Sequence, residues 1–389
     1  MKKCLILVLS SLALLAISCD ESASTTPSEK SCEELGTCEK SCEELGTCEK
    51  SCKELGTCDA LEHIRFMTAN TTSGKTESYD PDPGRAIFKV VKPDIVMIQE
   101  FKYFSGTYDE FVAETFGEEY EYFRGTVNEN YNLSETSKKP NGIITRYPFV
   151  RDADGNPLVG EWDPVYEKTK NGETYEVDAY TDRKWTWGVV DIPGDRDLLV
   201  VSVHLHTDNH AKEFSPLAKR IAVKQAEGNY HVIIGGDFNT KEGVYGRDAV
   251  LGNADMASVF DLDKATNEWP CDQNGDDTTN KNRGYPLDWI LMSHDLESYA
   301  VSTEIGLHTG DNAYPYGHVF DTRVYDKVGE LYYILPQDGS YQLQKNDSAS
   351  MQHMAVIRDV EIPFVYETET DSGDSSNTDN DDSANADNA

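Results

Sequence analysis

An apolar stretch, His231 to Ile234, runs without interruption into Gly235-Gly236-Asp237-Phe238-Asn239. So short an apolar run, closed by glycines, marks a buried strand rather than a helix. Two glycines let the backbone pass close to a neighbour or a ligand. The period of two then puts Asp237 and Asn239 on one face at the end of the strand, where sheet proteins place reactive groups. Asp and Asn also build ordinary turns, so the motif gains meaning only from what accompanies it.

Similar runs recur from Ile64 onward, separated by polar loops and occasional helical segments, which specifies a sheet-rich α/β protein. Ile64, Phe66 and Thr68 alternate with Arg65, Met67 and Ala69 in a strand that ends at Asn70. Ile87, Val90 and Val91 recur at helical spacing up to Pro93, and Ile95 to Ile98 form a buried strand ending at Gln99-Glu100. In Leu198 to His206, alternation sets Ser202, His204 and His206 on one face. Phe214, Leu217, Ile221 and Ala222 mark a helix whose expected end cap is Gly228. Leu287 to Met292 and Met354 to Ile362 complete the expected strands, and 101–140, 151–184 and 240–284 read as polar, loop-rich stretches around a site. Trp185 and Trp187, flanking Thr186, read as core rather than as a stacking platform for bases.

Glu100 ends an apolar strand, where a carboxylate is costly unless it is paired or holds a cation. Asn70 ends another, and its side-chain oxygen could join Glu100 on a hard cation such as Mg²⁺. Asp272, Asn274, Asp276 and Asp277 form an acidic loop without the glycine and distal glutamate of the EF-hand pattern, so it reads as solvated rather than as a calcium site.

Taken in order, Thr68-Ala69-Asn70, Gln99-Glu100, Asn141 to Pro148, His204-Leu205, Gly236 to Asn239, Leu287 to Ile290 and Gln352 to Val356 resemble the endonuclease/exonuclease/phosphatase family. The resemblance covers roughly residues 61–366. It implies a four-layer α/β sandwich, two mixed β-sheets flanked by helices, and metal-dependent hydrolysis of phosphoester bonds. Carried over position by position, it makes Glu100 the principal metal ligand, with Asn70 and Gln352 beside it. Asp237 would orient or deprotonate water, and Asn239 would contact phosphate. His204 and His353 would flank the phosphate, Asp288 would hold His353 cationic, and Asn141 and Arg146 would bind substrate. The implied cofactor is Mg²⁺, with Mn²⁺ or Ca²⁺ as alternatives. One departure stands out: the family's usual Ser-Asp-His is Met351-Gln352-His353 here, so an amide replaces a carboxylate. His318 is a competing candidate for the final histidine, but the apolar strand that should follow fits Met354 to Ile362 better.

The flanks carry a different message. Lys2 and Lys3, an apolar run from Leu5 to Ile17 and then Cys19 read as an export signal over 1–19, ending in a relaxed bacterial lipoprotein box. Over 20–60, a ten-residue unit recurs three times and sets cysteines at 32, 38, 42, 48, 52 and 58, which suggests disulfides in an exported spacer, with zinc the weaker alternative. Cys271 stands outside that set as an ordinary thiol. The stretch 367–389 is acidic and nearly devoid of apolar residues, the composition of a disordered tail.

The formal net charge of −35 excludes passive adhesion to nucleic acid or anionic lipid, because such binding needs Lys and Arg to neutralise phosphates. The family resemblance implies a phosphodiester substrate, nucleic acid first, and the lipoprotein box implies the membrane through the N-terminal lipid; no protein partner is indicated. Phospholipid head-group cleavage is the alternative within the family, and a non-catalytic surface lipoprotein is the alternative outside it.

Overall fold

The computed structural model describes residues 59–72, 82–127, 137–179, 182–240, 247–262, 270–305, 313–325 and 341–365. The expected signal, cysteine repeats and acidic tail lie outside them. Leu61–Phe364 belong to one compact unit, and the elements below form it.

The first sheet is built on β1 (Asp59–Asn70), β2 (Ile95–Gln99), β3 (Glu121–Arg124) and β4 (Gly142–Thr145). Strands β1 and β2 run parallel, with Asn70 opposite Gln99. Such a pair needs a crossover, and helix α1 (Asp82–Val91) supplies it. Helix α2 (Tyr108–Thr115) follows β2, its first turn closed by Thr107 and Glu110 in a reciprocal capping box.

The second sheet has the order β11-β10-β9-β8-β5. Its strands are β5 (Val159–Trp162), β8 (Trp185–Val190), β9 (Leu198–His204), β10 (His231–Asp237) and β11 (Asp288–Met292). Between β5 and β8 lies a separate hairpin of β6 (Val165–Lys170) and β7 (Glu173–Asp178). Helix α3 (Phe214–Gly228) joins the parallel strands β9 and β10. The first sheet is completed by β12 (Ala300–Val301), β15 (His318–Phe320) and β16 (Ala355–Val365), and β13 (Thr303–Glu304) pairs β14 (Ala313–Tyr314) apart from both sheets.

Alternation decides what each face of the second sheet does. Val200, Ile233, Ile290 and Met292 join the core that contains the first sheet, whereas Leu199, Val201, Ile234 and Leu291 join a second core with Phe214, Leu217 and Ile221 of α3. The result is two mixed β-sheets packed face to face with helices outside, the expected α/β sandwich. No helix among the described residues is long and apolar enough to cross a membrane.

Several sequence expectations need correction. The loop-rich stretches also hold regular elements that were not expected: α2, β3 and the β6–β7 hairpin. The left-handed residue ending α3 is Asn229 (φ 53°), not Gly228. The acidic loop is not simply solvated: Asp272 is buried, and Arg283 reaches it at 2.9 Å and Asp321 at 2.7 Å.

Candidate active site

Register assembles the site before any side chain is considered. Asp237 at the end of β10 lies opposite His204 of β9 on one side and Asp288 of β11 on the other. Three adjacent strands therefore deliver a His-Asp-Asp row to one rim of the second sheet, on the face turned toward the first. The two glycines before Asp237 make the approach possible. A Cβ on Gly235 would meet Met97 of the first sheet at 2.6 Å, and one on Gly236 would meet the Val203 carbonyl oxygen at 1.9 Å. Ser202, one alternation before His204, accepts from Gln99 Nε2 at 3.0 Å, so the sheets are stitched together just beneath the row.

Asp237 Oδ2 is the point of convergence. Asn70 Nδ2 donates to it at 3.0 Å from the first sheet, His204 Nε2 lies at 3.2 Å and His353 Nε2 at 3.7 Å. Its other oxygen accepts from the Asn239 backbone N–H at 2.8 Å. Burial alone would raise the pKa of Asp237, but the His353 charge and the hydrogen bonds from His204 and the Asn239 N–H outweigh it and hold the carboxyl well below the usual range.

The two histidines are driven apart. Burial lowers the pKa of His204, aided by the Arg183 guanidinium, against the pull of Asp237 and Glu100, so its ring is neutral at pH 7. His353 is equally buried, yet Asp288, 2.8 Å from its Nδ1, and Asp237 together push its pKa up to about 9. Asp288 is itself raised by burial, but the pair is held as imidazolium and carboxylate by that contact and by Thr279 Oγ1, which donates to the same oxygen at 2.6 Å. A neutral and a cationic imidazole thus stand on either side of one carboxylate.

Glu100 sits beyond His204. Its backbone is left-handed (φ 51°), an expensive conformation for a residue with a Cβ. Its carboxylate is buried, 3.5 Å from Lys139 Nζ, 3.8 Å from Lys102 Nζ and 3.9 Å from His204 Nδ1. Burial pushes its pKa up, but the neighbouring cations Lys139, Lys102 and Arg183 outweigh that effect and keep it anionic. With Nε2 of the neutral His204 donating to Asp237, Nδ1 is a lone-pair acceptor, and it is buried without a hydrogen-bond partner. Two acceptors, Nδ1 and the Glu100 carboxylate, therefore face each other with no donor between them.

Residues 72–311, more than half of the chain, match the family model described as the endonuclease/exonuclease/phosphatase family. The chain belongs to the endonuclease/exonuclease/phosphatase family. Similar solved structures include a protein of this family from Leptotrichia buccalis (13% identity, covering 77% of this chain and 100% of that one, TM-score 0.46). Others are the human Nocturnin catalytic domain with bound sulfate (10%, 78% and 95%, TM-score 0.42) and a mannosyl-6-phosphatase from Bacteroides thetaiotaomicron (14%, 76% and 98%, TM-score 0.42). No curated protein matched the sequence.

Of the residues singled out from sequence, the structure brings Asn70, Glu100, His204, Asp237, Asp288 and His353 together in this endonuclease/exonuclease/phosphatase site. Asn239 joins them, its backbone left-handed (φ 52°) and its Nδ2 donating to the Leu205 carbonyl at 2.7 Å. Asn141 is buried; its Nδ2 donates to Lys184 O at 2.7 Å, and its Oδ1 has no hydrogen-bond partner. Gln352 is exposed, outside the buried cluster.

Arg146 is a correction. Antiparallel pairing of β4 with β2 sets Gly142 at the Glu100 end and Thr145 at the other, so Arg146 is carried away from the site. There its Nε reaches Asp94 at 2.8 Å and its Nη2 reaches Glu62 at 3.1 Å. The rival His318 is also elsewhere, buried on β15 with Nδ1 3.1 Å from the Cys271 carbonyl. Thr279, Lys102 and Lys139 escaped the sequence reading. Only the position of Lys102, two residues after Glu100, offered a signal.

Members of this endonuclease/exonuclease/phosphatase family generally use a divalent metal. The residues fit such a group at Glu100, where the orphaned His204 Nδ1 faces a buried carboxylate at 3.9 Å. Asp237, Asp288 and His353 also place ligand atoms within 4.8 Å of one another.

Proposed function

We propose that the chain hydrolyses phosphoester bonds as a metal-dependent phosphodiesterase, with nucleic acid as its leading substrate class. The convergence of Asn70, His204 and His353 on Asp237 Oδ2 carries the reading. Phosphoryl transfer demands positioning and preorganised positive charge more than covalent chemistry, and this arrangement supplies both.

In the reading, a firmly anionic Asp237 accepts a hydrogen bond from the attacking water and aims its lone pair at phosphorus. The His353 imidazolium, locked by Asp288, faces the charge that grows on the phosphate oxygens. Neutral His204 holds Asp237 in place, and Asn239, with one N–H on Leu205, has another for phosphate. Asn70 and Glu100 would hold Mg²⁺ or Mn²⁺, whose charge would screen the phosphate and ease loss of a proton from water.

The hairpin of β6 and β7 does not favour a lipid head-group substrate, because its tip is polar. Its turn is Asn171-Gly172, both at positive φ, between Lys170 and Glu173. Lys219 and Arg220 of α3 bind Glu167 and Glu176 of the hairpin, which fastens it over the outer helix. We further propose that the enzyme is exported and tethered to the cell envelope through Cys19.

The test is turnover of bis-p-nitrophenyl phosphate, plasmid DNA, RNA and sphingomyelin with Mg²⁺ or Mn²⁺, beside Asp237→Ala and His353→Ala. Metal-dependent hydrolysis lost in both variants is the expected result; absence of turnover on every substrate would sink the proposal.

A further inference from the structure

The Asn239 amide hangs on the Leu205 carbonyl, to which its Nδ2 donates at 2.7 Å, and Arg183 Nη1 donates to the same oxygen at 2.9 Å. That carbonyl belongs to the peptide unit joining Leu205 to His206, just past the end of β9. A trans peptide is planar, so its C=O and N–H point in opposite directions and can only turn together. On the far side of this one, His206 N donates to Glu213 Oε1 at 2.8 Å. Whatever grips the N–H therefore sets where the carbonyl points.

Glu213 is placed to grip it firmly. It is wholly buried just before α3, where its N–H donates to the His210 carbonyl at 2.9 Å and its own carbonyl accepts from Leu217 N at 3.0 Å. Its second oxygen, Oε2, lies 3.3 Å from Trp185 Nε1. Burial pushes the carboxyl up to about 8, against the hydrogen bonds from His206 and Trp185 and the Arg183 charge, so at neutral pH the group is chiefly the uncharged acid. The shorter contact then marks the carbonyl oxygen, which accepts from His206, and the longer one the hydroxyl. A polar side chain so deep is costly, and the short contact that offsets the cost is the one with this peptide.

We propose that Glu213 is a positioning residue of the site: by holding the N–H of the Leu205–His206 peptide it fixes the carbonyl that carries the Asn239 amide, and so aims the other Asn239 N–H at phosphate. The inference rests on the phosphoesterase reading, in which Asn239 contacts phosphate, and adds a residue that lies behind the site and touches no substrate. What Glu213 supplies is an acceptor at a fixed place, not a charge, so glutamine can replace it.

The test is the affinity of the full-length, Mn²⁺-loaded protein for inorganic phosphate, measured by calorimetry beside turnover of bis-p-nitrophenyl phosphate. Glu213→Met fills the space without an acceptor and should weaken phosphate binding about 3- to 10-fold, the range for one hydrogen bond. Glu213→Gln should bind phosphate as the native protein does. In an Asn239→Ala background, Glu213→Met should have no further effect, because the amide that it misdirects is gone. If Glu213→Met does not fold, Glu213→Asp, which draws the acceptor back by one methylene, carries the same expectations. A role in stability alone would lower affinity equally with and without Asn239, and that result overturns the proposal. So do an unchanged affinity in Glu213→Met, a Glu213→Gln as weak as Glu213→Met, or a native protein that binds no phosphate. Coupled losses of affinity in a protein that hydrolyses no phosphoester would overturn the catalytic reading alone; hydrolysis with uncoupled losses would overturn the positioning role alone.

Discussion

Asp288 never needs to touch substrate to matter. Its carboxylate is what allows a fully buried imidazole to stay protonated, against a burial effect that favours the neutral ring. Asp288→Asn keeps the shape and removes the charge, so the pKa of His353 should drop from about 9 toward or below the ordinary histidine value. At pH 8, kcat should fall roughly 10²- to 10⁴-fold, the range for a misassigned proton, and the alkaline limb of the pH profile should move to lower pH. A profile of unchanged shape would mean that Asp288 acts by packing alone. Stability carries the same sign. A histidine whose folded pKa exceeds its unfolded value stabilises fully below about pH 6.5 and loses that contribution as pH rises through about 9. Thermal melts of the native protein should therefore show a decline between neutral pH and pH 9 that Asp288→Asn flattens.

At the scale of elements, two substitutions separate fold from site. Gly236→Ala would drive a methyl into the Val203 carbonyl, prising β10 from β9 just where Asp237 faces His204. Urea denaturation should show a loss of about 3 kcal/mol, the upper end of the usual range for overpacking, because the contact is with backbone. Thr107→Ala takes away one half of the α2 capping box and should cost about 1 kcal/mol in the same assay. A Thr107→Ala midpoint equal to that of the native protein would show that α2 is held by its packing.

The contrast between elements also explains what the sequence disclosed. Strands β2, β9 and β10 were legible because every residue in them is buried, so they read as largely apolar runs ending in a polar group. Strands β3 and β7 were not, since they are half-buried or exposed and their charges hide the alternation. The capping box of α2 was present as Thr107 and Glu110 but carried no apolar periodicity to draw notice. Within the site, residues at strand ends could be found from motifs. Arg146 misled because a motif does not say which end of an antiparallel strand faces the chemistry. Lys102, Lys139 and Thr279 look like ordinary polar residues until the fold closes around them.

For the whole molecule, the charge of −35 sets the terms on which a polyanion can approach. Most nucleic-acid enzymes lose affinity with salt because cations are released from the phosphate chain. Here the long-range force is repulsive, so screening should help. On an oligonucleotide, kcat/KM should rise as monovalent salt goes from about 20 to about 150 mM, where the Debye length shrinks to about 8 Å. On bis-p-nitrophenyl phosphate it should change little. A steep fall on the oligonucleotide would reveal a basic track that the described residues do not show.

The row of His204, Asp237 and Asp288 has a consequence for how such a protein can change over generations. Three strands must agree in length as well as in composition, because inserting or deleting one residue in β9, β10 or β11 flips the functional side chain to the α3 face. Length variation is thereby forbidden in the strands and left to the connections, above all the long stretch between Asn239 and Thr279. New substrates can be explored there by adding or losing residues, while the chemistry is inherited unchanged beneath.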